Sequence, residues 1–350
     1  MKAIRIHAKE DIRIEDVEEP TVEPGKVLLR GGYTGICGSD VHLYYAPEMF
    51  TSWDFTKPAK LTGAVWPQIL GHEFSGVVSA VGAGVDTVKV GDNVTVFPYH
   101  YCGECPACRM GDTTWCSQLA FEGIQGRSGG MAEVSIVDAA DCFVLPQSLD
   151  LRHGALVEPM AVAWRGVSRA EPDPDQAAIV IGAGPIGLGA YFALKAKGVK
   201  TIIVSEPSAE RRGILKQIGA KCILDPMTES LTERVQALTD GAGAGVAIDC
   251  AGVPPAFTEA LASLGLYGRM VIVAAYQKPI ELDFHLLAGG KSIFMSSAYT
   301  KADFAAVIEA MDQQFYRTDG WVETIGFDEV EKTIHELHKG QHMKVLVASP

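Results

Sequence analysis

Apolar and polar positions change their spacing about halfway along the chain. In the first ~150 residues they alternate over short runs, among them Val27–Arg30, Gly76–Val81 and Asn93–Phe97, with glycine turns at Gly82, Gly84 and Gly91 close by. A period of two with closely set turns predicts a β-rich region. From about Asp175 apolar strand-length runs alternate with helical ones. Ala177–Ile181 is a predicted strand, Pro185–Lys197 a helix stopped by Gly198, Thr201–Glu206 a strand, and a helix runs from Ala209 to Gly219. Further predicted strands are Cys222–Leu224, Gly245–Cys250, Met270–Ala274 and Ser292–Ser296, with a helix over Ala256–Leu264. Parallel strands need such crossovers, so this half should be a doubly wound α/β sheet, with Pro172 and Pro174 marking the turn into it. The tail from about Thr300 reads as two amphipathic helices, the second over Phe327–Leu337, and a last strand Met343–Ala348.

The chain has 350 residues, about two domains' worth. Its net charge of -13 repels phosphate backbones and anionic membranes, which argues against nucleic acid as a partner and leaves a small molecule. The most apolar stretches are strand-length and bounded by glycines, so no membrane span is expected. Met1–His7 alternates like a first strand and has no signal-peptide core, which places the protein in the cytoplasm by expectation. There, thiols stay reduced, so the crowding of four of the eight cysteines at Cys102, Cys105, Cys108 and Cys116 points to a metal rather than to disulfides. Cys142, Cys222 and Cys250 lie in or beside apolar strands and read as core, whereas His153, His335, His338 and His342 show no partner pattern and read as surface residues.

The predicted strand Ala177–Ile181 runs directly into Gly182-Ala183-Gly184-Pro185-Ile186-Gly187 and then a helix. Gly182 permits the tight turn, Gly184 lets backbone approach a pyrophosphate, and Gly187 lets helix and strand pack closely. The helix N-terminus, with Pro185 and Ile186 in its first turn, offers N–H groups to phosphate. Glu206 follows about twenty residues on, at the end of the next strand. A carboxylate there accepts from a ribose diol and repels a 2′-phosphate, which favours NAD, while Arg211 could reach the adenosine side.

Four thiolates without a histidine suit a closed structural zinc, although the same set is chemically open to an iron–sulfur cluster. The acidic balance argues against a zinc ribbon on nucleic acid. Three further segments carry metal-ligand chemistry: Gly35-Ile36-Cys37-Gly38-Ser39-Asp40-Val41-His42, Leu70-Gly71-His72-Glu73-Phe74 and Ala155-Leu156-Val157-Glu158-Pro159. Spacing alone does not bring them together.

In that chain order, with the cysteine lobe and the glycine fingerprint, these segments resemble the zinc-dependent medium-chain alcohol dehydrogenase family over essentially the whole chain. The resemblance implies a GroES-like catalytic domain over 1–155, a Rossmann NAD-binding domain over 156–298, and a segment 299–350 returning to the first. It implies two zinc ions per subunit, one structural and one catalytic on Cys37, His72 and Glu158. Three protein ligands leave the open position that a catalytic zinc requires. It places Ser39 and His42 on a proton relay, for which a histidine has a suitable pKa. It also implies that Glu73 can approach the metal, beside the ligands or as a transient one, although strand alternation turns His72 and Glu73 to opposite faces unless the backbone is locally distorted.

Leu61-Thr62-Gly63 and Pro67-Gln68-Ile69-Leu70-Gly71-His72-Glu73, in a long stretch after His42, are most similar to the butanediol dehydrogenase branch. That implies a vicinal diol or acetoin as the alcohol or ketone. A sorbitol- or threonine-type dehydrogenase is the alternative enzyme, and a noncatalytic zinc- and nucleotide-binding sensor the alternative from another class. Tyr44, Trp53, Phe55 and Trp66 are candidates for an apolar pocket wall, for packing or for subunit contacts. The resemblance further implies a homo-oligomer, a dimer or tetramer.

Overall fold

The structure is a computed structural model that describes residues 1–50, 53–276 and 279–350. The chain forms two compact units, one of Met1–Glu158 with Val322–Pro350 and one of Pro159–Trp321. The divisions expected at 155 and 298 fall in the structure at 158 and 321.

The first unit is the β-rich one. Its main sheet runs in the order Val134–Asp138, Lys26–Arg30, Glu73–Val81, Tyr33–Gly35, Lys344–Ala348, Val322–Ile325, with Asn93–Val96 and Cys142–Val144 paired off that path. Val27, Leu29, Phe74, Val78, Val94 and Val96 pack into one buried cluster, and Val345 and Val347 join Ile36, Val41 and Leu70 in another. The short strand Tyr33–Gly35 has the central place in this sheet. It is paired with Glu73–Val81 on one side, Gly35 opposite Glu73, and with Lys344–Ala348 on the other. Residues more than 270 positions apart are thereby set side by side.

The second unit is a six-stranded sheet in the order Cys222–Leu224, Ile202–Ser205, Ala178–Ile181, Ala244–Asp249, Leu264–Ile272, Ser292–Met295, every pair parallel. Ala178–Ile181 is buried throughout, as a central parallel strand should be. Strand order reverses between Ala178–Ile181 and Ala244–Asp249, which is where such sheets bind ligands, at the carboxyl ends of the strands. Helix Lys301–Asp312 belongs to this unit. Its Phe304, Val307, Ile308 and Met311 are buried, and Tyr299 stacks on Phe304 at 5.8 Å. That packing keeps the chain in the second unit past residue 299.

No helix among the described residues is long and apolar enough to cross a membrane. Because Phe304 has no exposed surface, Phe304→Ala should lower stability by about 3–5 kcal/mol. Urea unfolding of the variant checks this; an unchanged midpoint would mean that the helix is not docked as described.

Candidate active site

Cys37 caps the short helix Gly38–Tyr45, and its backbone N–H donates to Asp40 Oδ2 at 2.8 Å. That bond turns Asp40 inward, where it has no exposed surface. Ser39 and His42, three apart on the helix, share a side of it. Ser39 Oγ lies 3.1 Å from His72 Nε2. The other ring nitrogen, His72 Nδ1, faces Asp40 Oδ1 at 3.7 Å, and neither of these two buried atoms has a hydrogen-bond partner among the described residues.

A local distortion of the backbone lets His72 and Glu73 face one point. Gly71 adopts φ +96°, a left-handed conformation that glycine takes without strain, and the strand begins only at Glu73. His72 sits in the bend before the ladder. Ligand atoms of Cys37, His72 and Glu73 consequently lie within 4.8 Å of one another. Glu73 is paired through Oε2 with the buried ammonium of Lys344, which also donates to the Ile36 carbonyl at 3.1 Å. Gly35 makes room for this pair, since a Cβ there would run into the Glu73 carboxylate and meet Lys344 Nζ at 3.0 Å. Glu158, buried at the start of helix Val157–Ala170, acts electrostatically on both His72 and Lys344.

This is a concentration of negative charge out of water. Burial opposes charge on the His72 imidazole, but Asp40, Cys37 and Glu158 outweigh it and raise the pKa to about 10. Burial likewise opposes the Lys344 ammonium, and Glu73, Cys37 and Glu158 overcome it. Desolvation pushes the Asp40 carboxyl upward. A site that draws a proton so strongly onto a histidine suits a divalent cation. Thiolate, imidazole and carboxylate are zinc donors, and a metal on one nitrogen of His72 would leave the other to donate to the orphaned Asp40 oxygen.

The cysteine lobe also fits zinc. Sγ atoms are 3.5 Å apart for Cys105–Cys108 and Cys102–Cys116 and 4.0 Å for Cys102–Cys108. A tetrahedron with Zn–S bonds of ~2.3 Å has edges of ~3.8 Å. Backbone N–H groups of Cys102, Cys105 and Gln118 donate to these sulfurs at 3.3–3.4 Å, which favours thiolates.

In the second unit Gly182 has φ +87°, Gly184 caps helix Pro185–Ala196, and a Cβ at Gly187 would collide with the Gly182 carbonyl. Ile186 is half-buried in the first turn. Glu206 is buried; Oε2 accepts from the Ala183 N–H at 2.6 Å and Oε1 from Ser208 at 2.8 Å. Each oxygen keeps a second lone pair for a ribose hydroxyl. The Arg211 guanidinium lies beside Gly184, about one van der Waals contact from where its Cβ would be.

Asp40 and Lys344 are absent from the residues that the sequence singles out. Asp40 has a local signal, being the third residue of a capping box, whereas nothing near Lys344 in the chain points to residue 73. Four histidines read as surface residues without a partner have partners, His153 Nδ1 lying 2.7 Å from Asp150 Oδ1. His335 Nδ1 meets Tyr45 Oη, the His338 ring lies tilted against Tyr45 at 4.2 Å, and His342 bridges Glu323 and Glu336. Tyr44 packs on His335 and donates to Glu331, so it belongs to helix packing rather than to a pocket wall.

Residues 23–147 match the alcohol dehydrogenase GroES-like domain and residues 185–313 the zinc-binding dehydrogenase domain. The chain belongs to the zinc-dependent alcohol dehydrogenase family, enzymes that act on CH–OH groups with a nicotinamide cofactor and zinc. Among individual proteins, it is 38% identical to the (R,R)-butanediol dehydrogenase of Bacillus subtilis, over 91% of this chain and 90% of that one. A crystal structure of 2R,3R-butanediol dehydrogenase from Bacillus subtilis superposes with a TM-score of 0.90 at 36% identity, covering 99% of both chains. A zinc-binding dehydrogenase from Sinorhizobium meliloti bound to NADP superposes at 0.88, with 27% identity, covering 99% of this chain and 98% of that one.

If Asp40 orients His72, Asp40→Asn should weaken zinc affinity by about 10- to 100-fold. Chelator competition followed by metal analysis reads this directly; affinity equal to the wild type would remove Asp40 from that role.

Proposed function

We propose that this chain interconverts a small vicinal diol and its hydroxyketone, 2,3-butanediol and acetoin being the best fit, with NAD as hydride acceptor. The observation that carries the reading is the cluster of partly exposed Cys37 and buried His72, whose ligand atoms lie within 4.8 Å of each other and of Glu73, with buried Glu158 acting on His72 and the Ser39 hydroxyl 3.1 Å from His72 Nε2. Zinc on those three ligands would acidify an alcohol hydroxyl, and the nicotinamide would take the hydride. Ser39 then stands where an alcohol proton must leave, and His42, on the same side of its helix, is the exit toward water. Glu73 is held by Lys344, so it acts beside the ligand set, near enough to approach the metal. A second zinc on Cys102, Cys105, Cys108 and Cys116 would hold the lobe's fold without taking part in the reaction.

Substrate size follows from aromatic packing. Phe121 lies 5.4 Å from His72, Trp53 meets Phe121 at 5.3 Å and stacks on Phe50 at 5.0 Å, and Phe55 stacks on Trp66 at 4.5 Å. An apolar wall next to the histidine favours methyl groups flanking a diol over the chain of hydroxyls in a polyol, which would lose hydrogen bonds to water there. The buried Glu206 carboxylate, unscreened by solvent, favours a ribose diol over a 2′-phosphate and hence NAD over NADP.

The second unit also supports a homo-oligomer. Ser292–Met295 is an edge strand, and Met295 with Leu266 and Tyr267 of the neighbouring strand are 58%, 78% and 78% exposed. Unpaired backbone beside apolar side chains is a template for a second copy. Sedimentation of wild type and Met295→Lys checks this, the variant being expected to dissociate at lower dilution.

NADH formation on purified protein should be fastest with a 2,3-butanediol isomer, slower with sorbitol and threonine, and slower with NADP. It should vanish on chelation and return with zinc. Glu158→Ala should abolish turnover while NAD binding persists. Turnover that survives Glu158→Ala would rule out the proposed ligand set, and faster turnover of sorbitol would overturn the substrate.

A further inference from the structure

Asp249 ends the strand Ala244–Asp249, on the side of the reversal point opposite the glycine fingerprint, and it has no exposed surface. It accepts five hydrogen bonds from two different loops. Its Oδ1 takes the N–H groups of Ala251 (3.0 Å) and Gly252 (3.1 Å), in the loop that follows its own strand. Its Oδ2 takes the phenol of Tyr276, and its backbone carbonyl takes the N–H groups of Val273 (2.9 Å) and Ala274 (3.0 Å), in the loop that follows Leu264–Ile272. Gly252 has φ +67°, and a Cβ there would meet the Ala275 carbonyl oxygen at 3.1 Å, so the two loops are in close contact.

The first of these loops also borders the fingerprint. A Cβ at Gly182 would lie 3.2 Å from that of Ala251, and the Cys250 N–H donates to the Ile181 carbonyl at 3.0 Å. A continuous path of contacts therefore runs from the pyrophosphate turn through Ala251 and Asp249 to Tyr276. In a doubly wound sheet the half containing the fingerprint and Glu206 takes the adenosine mononucleotide. The half that starts at Ala244 takes the other mononucleotide, which in NAD carries the nicotinamide.

We infer that Tyr276 and Asp249 are positioning residues for the nicotinamide half of the cofactor, the Tyr276–Asp249 hydrogen bond fixing one loop against the other at the mouth of the crevice. This rests on the dinucleotide reading of the second unit. A hydrogen bond to a buried carboxylate is among the stronger ones, and Asp249, already accepting from two backbone N–H groups through Oδ1, has its Oδ2 bonded, among the described residues, by Tyr276. Burial and the Asp249 carboxylate both raise the Tyr276 pKa, which keeps the phenol protonated as the donor. Tyr276 is half-buried, with its ring against Phe257 at 6.4 Å, so removing its hydroxyl leaves the ring packed. The loop would then lose its orientation but not its place. Since hydride transfer depends on ring orientation, that loss falls on nicotinamide binding and turnover together.

The test uses the full zinc-loaded chain and two probes, NADH and ADP-ribose, which shares every part of the cofactor except the nicotinamide ring. Tyr276→Phe should raise the Kd for NADH by about tenfold, as for one charge-assisted hydrogen bond, and leave ADP-ribose binding unchanged. Asp249→Asn, whose amide can still donate to the Tyr276 oxygen, should retain most of the NADH affinity. Parallel weakening of both probes in Tyr276→Phe would show a general structural effect and overturn the proposal, as would unchanged NADH binding. If the wild type bound neither probe, the dinucleotide reading itself would fail, and the proposal with it.

Discussion

Negative charge buried around one imidazole is the constraint on which the first unit depends. Cys37, Asp40, Glu73 and Glu158 all lie on or near His72, and ionised groups in such surroundings carry a desolvation cost of several kcal/mol each unless paired. The fold meets this in two ways. One is a buried lysine, Lys344, brought across the sheet to Glu73 through the gap left by Gly35. The other is the demand for a cation at Cys37 and His72, which a zinc ion held there would meet. Short strands, the bend at Gly71 and the capping turn at Cys37 all serve to aim these groups at one point.

The second unit answers a different demand with backbone rather than charge. Its parallel strands end along one edge, and each loop leaving that edge is tied to its neighbour. Glu206 bonds to the fingerprint through Ala183, the fingerprint touches the next loop at Ala251, and Asp249 ties that loop to the following one. Two buried carboxylates thus do in this unit what strand pairing does elsewhere, since loops beyond a sheet's edge have no ladder to fix them.

Much of this is legible in the chain because the signals are local. The fingerprint at Gly182–Gly187, the strands Cys222–Leu224 and Ser292–Met295 and the four-cysteine lobe are each defined within a few residues by period, turn chemistry or spacing. Helix Leu231–Leu238 and helix Gly38–Tyr45 escape a reading of period, being two turns each with too few residues to show one. The boundary expected at 298 moves to 321 because Phe304 and its neighbours find their core in the second unit, a preference that amphipathicity alone does not encode. Lys344 has no local signal at all, because its meaning lies in a strand register set 271 residues away.

That register has a consequence for synthesis. The strand Tyr33–Gly35 needs Lys344–Ala348 beside it, and the whole second unit is translated in between. At ~5–20 residues per second, the interval between making Glu73 and making its lysine is on the order of tens of seconds. Throughout it the nascent first unit holds an open strand edge next to an uncompensated carboxylate, while the inserted unit has time to fold completely. On the ribosome, then, the oldest part of the sequence is the last to become a finished structure.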